Sequence, residues 1–166
     1  MGSRWIRTVL FAAFVPAVGL AAWQSPYDFD HGPVAYTTSP TADPISRLQK
    51  RIDSGDLKLR FDPDHGYLPS LLQELKVPRT SQTLVFSKTS LQLFLIAPAN
   101  PRAGYFNDDV YVGWAHNDGL LDIVAMDPRK GPIFFSLAQK QTEKPKFVRD
   151  KTCMNCHAGP ETLNIP

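Results

Sequence analysis

The sequence predicts an α+β fold in which an N-terminal transmembrane helix precedes one domain with a small antiparallel β-sheet, short helices and much irregular chain. Three observations support this fold class: an uncharged apolar run over residues 8–23, alternating apolar residues in the C-terminal half, and 15 prolines among 166 residues. This proline share is about twice the usual one and favours extended segments and turns. About 140 residues follow the apolar run, enough for one compact domain but not two.

The N-terminal segment has the features of an export signal or a membrane anchor. Arg4 and Arg7 precede the apolar run, like the basic region of a secretory signal. As a helix, residues 5–23 would span roughly 27 Å, close to the thickness of the hydrocarbon core of a bilayer. Small residues at 19–22 make cleavage the alternative. We predict an uncleaved single-pass anchor over residues 1–23, with the N-terminus in the cytoplasm and the main domain exported.

The first helix of the domain has clear start and stop signals. Residues 24–43 are rich in proline and predict an extended linker between the anchor and a domain of residues 44–166. Asp43 followed by Pro44 is typical of a helix start, with Asp as N-cap and Pro at the first helical position. Apolar residues then recur at helical spacing, and Gly55 is a suitable C-cap.

Shorter elements follow before the main β-region. Apolar and basic residues alternate over residues 57–61 and predict a short strand, and residues 62–66 predict a turn. Residues 68–75 predict a second short helix, ended by Pro78. Two apolar patches then lie within residues 83–96.

The C-terminal half predicts a three-stranded antiparallel meander. Residues 110–114 and 120–126 are apolar runs joined by residues 116–119, which form a strong hairpin signal. A proline- and glycine-containing turn at residues 127–131 leads into a third strand at residues 133–138. The charged residues after this strand lead to a C-terminal segment that contains both cysteines of the chain.

These two cysteines lie in the sequence Cys153-Met154-Asn155-Cys156-His157. Two cysteines three residues apart with histidine directly after the second form the attachment signature of c-type haem. On one helical turn Cys153 and Cys156 lie on the same face and can form thioethers with the two vinyl groups of a porphyrin. His157 can then ligate the iron axially. We predict one covalently attached haem c, bound by Cys153, Cys156 and His157.

A zinc site and a redox disulfide are the alternatives to haem attachment. A zinc site needs about four ligands and normally a second Cys/His pair, whereas the other histidines, at 31, 65 and 116, are scattered. A redox disulfide usually follows a strand at a helix start and needs no histidine after it. Haem attachment occurs on the outer side of a bacterial inner membrane, which agrees with export and predicts a periplasmic domain.

The motif resembles those of c-type cytochromes, although compact class I cytochromes c carry it near their start and only nine residues follow it here. Residues 43–157 also resemble a family of exported bacterial haem-binding proteins, and this resemblance implies a haem-bearing domain without an agreed activity. Besides CMNCH, it is carried by HGYLPSLLQEL (65–75), SQTLVFSKTSLQ (81–92), YFNDDVYVGW (105–114) and DPRKGPIFFSL (127–137).

The iron has a second axial position, for which the sequence offers four candidates. His65, in a glycine-containing turn beside an apolar helix, ranks first as the distal ligand, and Met126 ranks second. His116 fits a hairpin loop and His31 lies in the linker. A ligand from another subunit, or none, is a further alternative. Five basic residues are candidates for pairing with the haem propionates: Arg79, Lys88, Arg102, Lys146 and Arg149.

These features favour an electron carrier over a catalyst. The leading hypothesis is a membrane-anchored monohaem cytochrome that transfers electrons within, or to, a respiratory or photosynthetic membrane complex. The expected partners are integral subunits of that complex, a soluble electron carrier and membrane lipid. An accessory interaction subunit with a non-catalytic haem is the alternative, and a haem enzyme such as a peroxidase is a third. The net charge of +2, with both signs interspersed, argues against nucleic-acid binding.

Overall fold

Six antiparallel strands form one sheet in which every strand pairs with its neighbours in the chain, in the order β1 to β6. The computed structural model describes residues 35–88, 90–117 and 119–158. The strands are β1 (Thr83–Val85), β2 (Arg102–Phe106), β3 (Val110–Ala115), β4 (Leu120–Asp127), β5 (Gly131–Ala138) and β6 (Phe147–Arg149). The helices are α1 (Pro44–Ser54), α2 (Leu68–Glu74) and α3 (Met154–His157), with 3₁₀ turns at Arg79–Ser81 and Lys151–Cys153.

The predicted α+β fold with a small sheet is wrong. The three expected strands are present as β3, β4 and β5, but β1, β2 and β6 extend the sheet to six strands. The domain is therefore a β-meander with few short helices, whereas a typical cytochrome c is helical. The missed strands are short, and β2 contains small residues, so they lack a strong alternation of their own. Cross-strand pairing with longer neighbours stabilises them instead.

Two further parts of the chain differ from the expected fold or lie outside the described residues. Residues 57–61 are extended but form no strand, because they pair with no neighbouring strand in the described chain. The predicted transmembrane helix, within residues 1–23, lies outside the described residues. In the part of the chain that the structure describes, no helix has the length and apolar character needed to cross a membrane.

Helix α1 follows its sequence signals closely. The Asp43 carboxylate accepts a hydrogen bond from the Ser46 backbone N–H at 2.8 Å, and Gly55 ends the helix with a left-handed φ of 87°. Its apolar residues form one buried face: Ile45, Leu48 and Ile52. Helix α2 buries a similar set: Leu68, Leu71 and Leu72. Both predicted helices are confirmed, since caps and apolar spacing are local signals.

The sheet has two faces with different coverings. Alternation along the strands places on one face, here called the helix face, the buried residues Leu121, Ile123, Ala125, Ile133, Phe135 and Leu137. Helices α1 and α2 contribute their apolar residues to the same core. The opposite face, here called the motif face, carries Asp122, Val124, Met126 and Phe134. Successive side chains of a strand point to opposite faces, so register alone assigns each residue.

Residues 35–43, assigned to the linker from sequence, pack against the domain. Tyr36 is buried, and the Ala42 N–H donates to the Asp127 carboxylate at 2.6 Å. The same carboxylate accepts from the backbone N–H groups of Arg129 and Lys130 at 2.9 and 3.0 Å. These hydrogen bonds, that from Ala42 above all, lower the pKa of Asp127 below its ordinary value of 3.8. Asp127 thus joins the start of α1 to the β4–β5 turn.

We expect Asp127→Asn to destabilise the protein by about 2 kcal/mol at neutral pH, because the variant loses charge-assisted hydrogen bonds to three backbone donors. A depressed carboxylate pKa adds stability above the unfolded pKa, and this stability is lost as pH falls through the folded pKa. Urea unfolding at pH 7 and at about pH 3 should therefore show a gap between wild type and variant that narrows in acid. The exposed Asp108→Asn is the control, and a gap independent of pH would contradict this role of Asp127.

Candidate functional site

The cysteine–histidine motif forms a short continuous helical segment directly after β6. A 3₁₀ turn, Lys151–Cys153, runs into α3, Met154–His157. The Asp150 carboxylate caps its start by accepting from the Thr152 N–H at 2.9 Å, and the Ala158 N–H donates to the Met154 carbonyl at 2.9 Å. The cysteines, three residues apart on one helical segment, therefore occupy neighbouring positions on its surface.

One side of this segment is anchored and the other faces outward. Met154 is 1% exposed and Ala158 is 6% exposed, and these residues, four apart, form a single buried stripe. Cys156 and His157 are exposed, and Cys153 is half-buried against the core. The anchor residues thus hold the segment while both thiols and the imidazole remain near the surface, the arrangement needed for attachment of a group from outside.

Phe134 on β5 contacts both ends of this segment. Its carbonyl accepts a hydrogen bond from the Asp150 N–H at 3.0 Å, and its own N–H donates to the Tyr36 hydroxyl at 2.7 Å. The Phe134 ring lies 4.4 Å from the His157 ring, centroid to centroid, with 36° between the planes. Since Phe134 is on the motif face, His157 lies on that face too.

Arg149, the last residue of β6, pairs with Phe135 and therefore lies on the helix face, where it binds the chain before α1. Its guanidinium donates to the carbonyls of Tyr36 and Ser39 and to the Thr41 hydroxyl, the last two at 2.8 and 3.1 Å. An arginine fork suits several oxygen acceptors at once because its N–H groups diverge in one plane. These bonds engage Arg149 in structure and leave it unsuited to the propionate role considered from sequence.

Burial changes the acidity of two groups near the motif. Burial, followed by the charges of Asp150 and Asp122, raises the pKa of the Cys153 thiol to about 11. Burial likewise raises the pKa of the Tyr36 hydroxyl to about 12, although the hydrogen bond from Phe134 opposes this shift. Cys153 is therefore a thiol at neutral pH.

The residues present fit a covalently attached haem. Both cysteines are free thiols, the histidine next to them is exposed, and the motif face offers apolar side chains at Val124, Met126 and Phe134. An arginine on this face, Arg102, has a buried Nε with no hydrogen-bond partner in the described chain. Such a donor suits an anionic group of a cofactor.

A closed zinc site is a poorer fit. Within the described residues, one group of three metal-ligating side chains has its ligand atoms within 4.8 Å of one another, and it consists of Asp62, Asp64 and His65. The motif cysteines and His157 are not so gathered. In the acidic group, Asp62 Oδ1 already accepts from the backbone N–H groups of Asp64 and His65 at 2.9 and 2.8 Å. Turn formation accounts for this cluster.

The structure does not bring the first-ranked distal ligand, His65, to the motif. The His65 ring lies 5.5 Å from the Trp114 ring, and its Nδ1 lies 3.1 Å from Asp62 Oδ1. Trp114 pairs with Ala103 and belongs to the helix face, so the sheet stands between His65 and His157. His116 contacts Trp114 as well, at 5.8 Å, and His31 lies outside the described residues.

Met126, ranked second from sequence, does lie on the motif face. It pairs with Pro132 on β5, and Val124, two residues earlier, pairs with Phe134. The Met126 side chain is 44% exposed, which is unusual for a methionine that serves only in packing. Of the two ranked candidates, Met126 is thus the one that shares a face of the sheet with His157.

Sequence reasoning missed Tyr36, Phe134 and Asp122, which surround the motif. Phe134 and Asp122 lie on strands that the sequence identified, and alternation would place them together on one face. Their proximity to residues 153–157 depends on β6, which was not predicted. Tyr36 had no signal, since its segment has the composition of a linker.

No protein-family model, curated protein or solved structure shows significant similarity to this chain. The resemblance to exported haem-binding proteins therefore stays a prediction. The interpretation of the site depends on its residues and their geometry.

We expect Met154→Ala to destabilise the protein by about 2–3 kcal/mol, because it removes a fully buried side chain that anchors the motif. Met154→Leu conserves volume and should cost less than about 1.5 kcal/mol. Asn155→Ala, at the exposed neighbouring position, is the matched control and should change the free energy of unfolding by less than about 0.5 kcal/mol. Urea unfolding measures all three, and equal effects of the two alanine variants would show that Met154 is no anchor.

Proposed function

We propose that this protein is a monohaem c-type cytochrome that transfers electrons at the outer surface of a bacterial inner membrane. The observation that carries the proposal is the CMNCH segment, which is anchored through Met154 and Ala158 and presents Cys156 and His157 at the surface. When bound, the haem supplies a one-electron couple, which the protein tunes through its ligands, charges and burial.

Each residue of the motif has a separate role in this proposal. Cys153 and Cys156 would each supply a thiol for covalent attachment, so that one helical segment would hold the cofactor. His157 would supply the imidazole that holds the iron. The Phe134 ring, 4.4 Å from that imidazole, restricts its rotation and so orients the nitrogen that binds iron.

In this proposal Met126 would be the second residue that holds the iron. It offers a thioether on the same face of the sheet as His157, whereas His65 is on the opposite face. A methionine ligand raises the reduction potential relative to a second histidine. The domain would then act as an acceptor for electrons from a donor of lower potential.

The surroundings of the motif favour electron transfer over catalysis. An exposed attachment site lets a partner approach closely, while an enzyme such as a peroxidase needs an acid–base residue at an open distal site. The histidine considered first for the distal side, His65, lies across the sheet and is not placed for that role. Electron exchange with a membrane complex and a soluble carrier agrees with the uncharged apolar run over residues 8–23 of the sequence.

Exposed apolar side chains support a place within a larger assembly. They cluster in sequence between residues 84 and 95, where Phe94 is 90% exposed; the others are Leu84, Phe86, Leu91 and Leu95. Side chains of this kind mark protein–protein contacts when they form a patch. We therefore propose that the protein works as a subunit of a respiratory or photosynthetic complex.

The proposed attachment predicts that Cys153→Ser combined with Cys156→Ser abolishes haem staining on a denaturing gel, because serine forms no thioether. The full chain is expressed in a bacterium with c-type haem maturation, and whole cells are loaded on the gel. Asn155→Ala, between the cysteines, is the matched control and should stain like wild type. Stain retained by the double variant, or absent from wild type, would overturn the proposal.

The proposed distal ligand predicts that Met126→Leu abolishes the methionine–iron charge-transfer band of the oxidised protein in the far-red and lowers its reduction potential. Leucine fills a similar volume but cannot ligate iron. Met154→Leu tests the other described methionine and should keep the band.

His65→Gln separates the two distal assignments. With Met126 as ligand, this variant should have the wild-type spectrum, because His65 lies on the helix face. A loss of the low-spin spectrum in His65→Gln, together with an unchanged spectrum in Met126→Leu, would assign the iron to His65 instead.

A further inference from the structure

Arg102 on β2 is a largely buried arginine whose hydrogen-bond donors are not all paired within the described residues. Its side chain is 13% exposed, and its Nη1 lies 3.4 Å from Asp122 Oδ2, a long ion pair. The buried Nε has no hydrogen-bond partner within the described residues. The guanidinium carbon lies 5.8 Å from the centre of the Tyr111 ring.

This arrangement is unfavourable in the absence of a ligand. A buried donor without an acceptor costs about 1–3 kcal/mol, and more when it is charged. One long ion pair does not offset the desolvation of a guanidinium. The planar fork of arginine fits a carboxylate in a bidentate manner, with two parallel N–H···O bonds. The orphaned Nε–H therefore indicates an anionic acceptor outside the described protein residues.

The position of Arg102 directs this donor toward the haem-attachment segment. Gly104 pairs with Gly113, and Gly113 pairs with Asp122, so Arg102, two residues from Gly104, lies on the motif face. Gly113 leaves space for the arginine, since a Cβ there would lie 3.3 Å from Arg102 Cδ. Asp122 pairs with Ser136 on β5, two residues from Phe134, whose ring lies 4.4 Å from the His157 ring.

We propose that Arg102 binds a propionate carboxylate of the covalently attached haem, with Asp122 holding the guanidinium from the other side. This inference rests on the proposed function. It selects one residue from the five basic candidates of the sequence. Arg149 is engaged by carbonyls, and Lys146 pairs with Asp53 at the edge of α1. Arg79 is exposed in the 3₁₀ turn that lines a cleft with His65 and Tyr105, next to the helix face.

The test is a redox titration of the haem-loaded full chain as a function of pH, with Arg102→Leu compared with wild type. Arg102 keeps the propionate ionised, so the wild-type midpoint potential should be independent of pH near neutrality. In the variant the propionate pKa rises because its cation is gone. At high pH, where the propionate is ionised, the midpoint potential of the variant should lie below that of wild type. It should also fall as pH increases, with a slope of at most that for one proton taken up per electron.

Arg79→Leu is the matched control and should reproduce the wild-type profile. Arg102→Lys keeps the charge without the fork and should give an intermediate pH dependence; it also serves as the test where Arg102→Leu does not fold. An Arg102→Leu profile identical to that of wild type, or an Arg102→Lys profile identical to it where only that variant folds, would overturn the assignment. Haem staining separates this outcome from failure of the proposed function, since loss of covalent haem in wild type contradicts the cytochrome itself.

Discussion

The backbone of Phe134 is the point on which the arrangement around the motif depends. Its N–H and carbonyl lie on the side of β5 that β6 leaves unpaired, and both are satisfied, by the Tyr36 hydroxyl and the Asp150 N–H. Buried backbone groups need hydrogen-bond partners. These two bonds are therefore favoured over any packing that buries the Phe134 N–H and carbonyl without partners. They fix the chain before α1 and the chain before α3 to the same residue, whose ring then contacts His157.

The sheet also acts as a partition. On the helix face, α1 and α2 close a core, and Trp114 contacts His65 and His116 at its margin. On the motif face, a much shorter covering, α3, is held by Met154 and Ala158, and Asp122, Met126 and Phe134 lie around it. Strand alternation determines the face of every residue. The register of the strands therefore separates the side chains of the helix face from those of the motif face. The proposed haem ligands and the buried arginine all belong to one side.

The motif face combines features that a simple apolar core would avoid. Arg102 is nearly buried, and its Nε has no hydrogen-bond partner among the residues that the structure describes. Asp122 adds a carboxylate, and Met126 is half-exposed. Burial of the Arg102 and Asp122 charges costs desolvation free energy, which close partners must offset. The exposed Met126 forgoes the free energy that burial of an apolar side chain provides. Their occurrence on one face, beside the CMNCH segment, agrees with the proposal that a cofactor completes this surface.

The sequence by itself determined the elements whose signals are local. Asp43, Pro44 and Gly55 specify α1 because caps act within a few residues, and the β3–β4 hairpin follows from its turn. The CMNCH motif is likewise local, as its chemistry needs only one helical turn. Only the tertiary structure decided that β1, β2 and β6 join the sheet, that Tyr36 is part of the core, and that Met126 rather than His65 lies on the side of His157. Strand pairing leaves no clear periodic signal within strands of three to five residues. The hydrogen bond of Tyr36 to Phe134 joins residues 98 apart in the chain, and no local pattern predicts it.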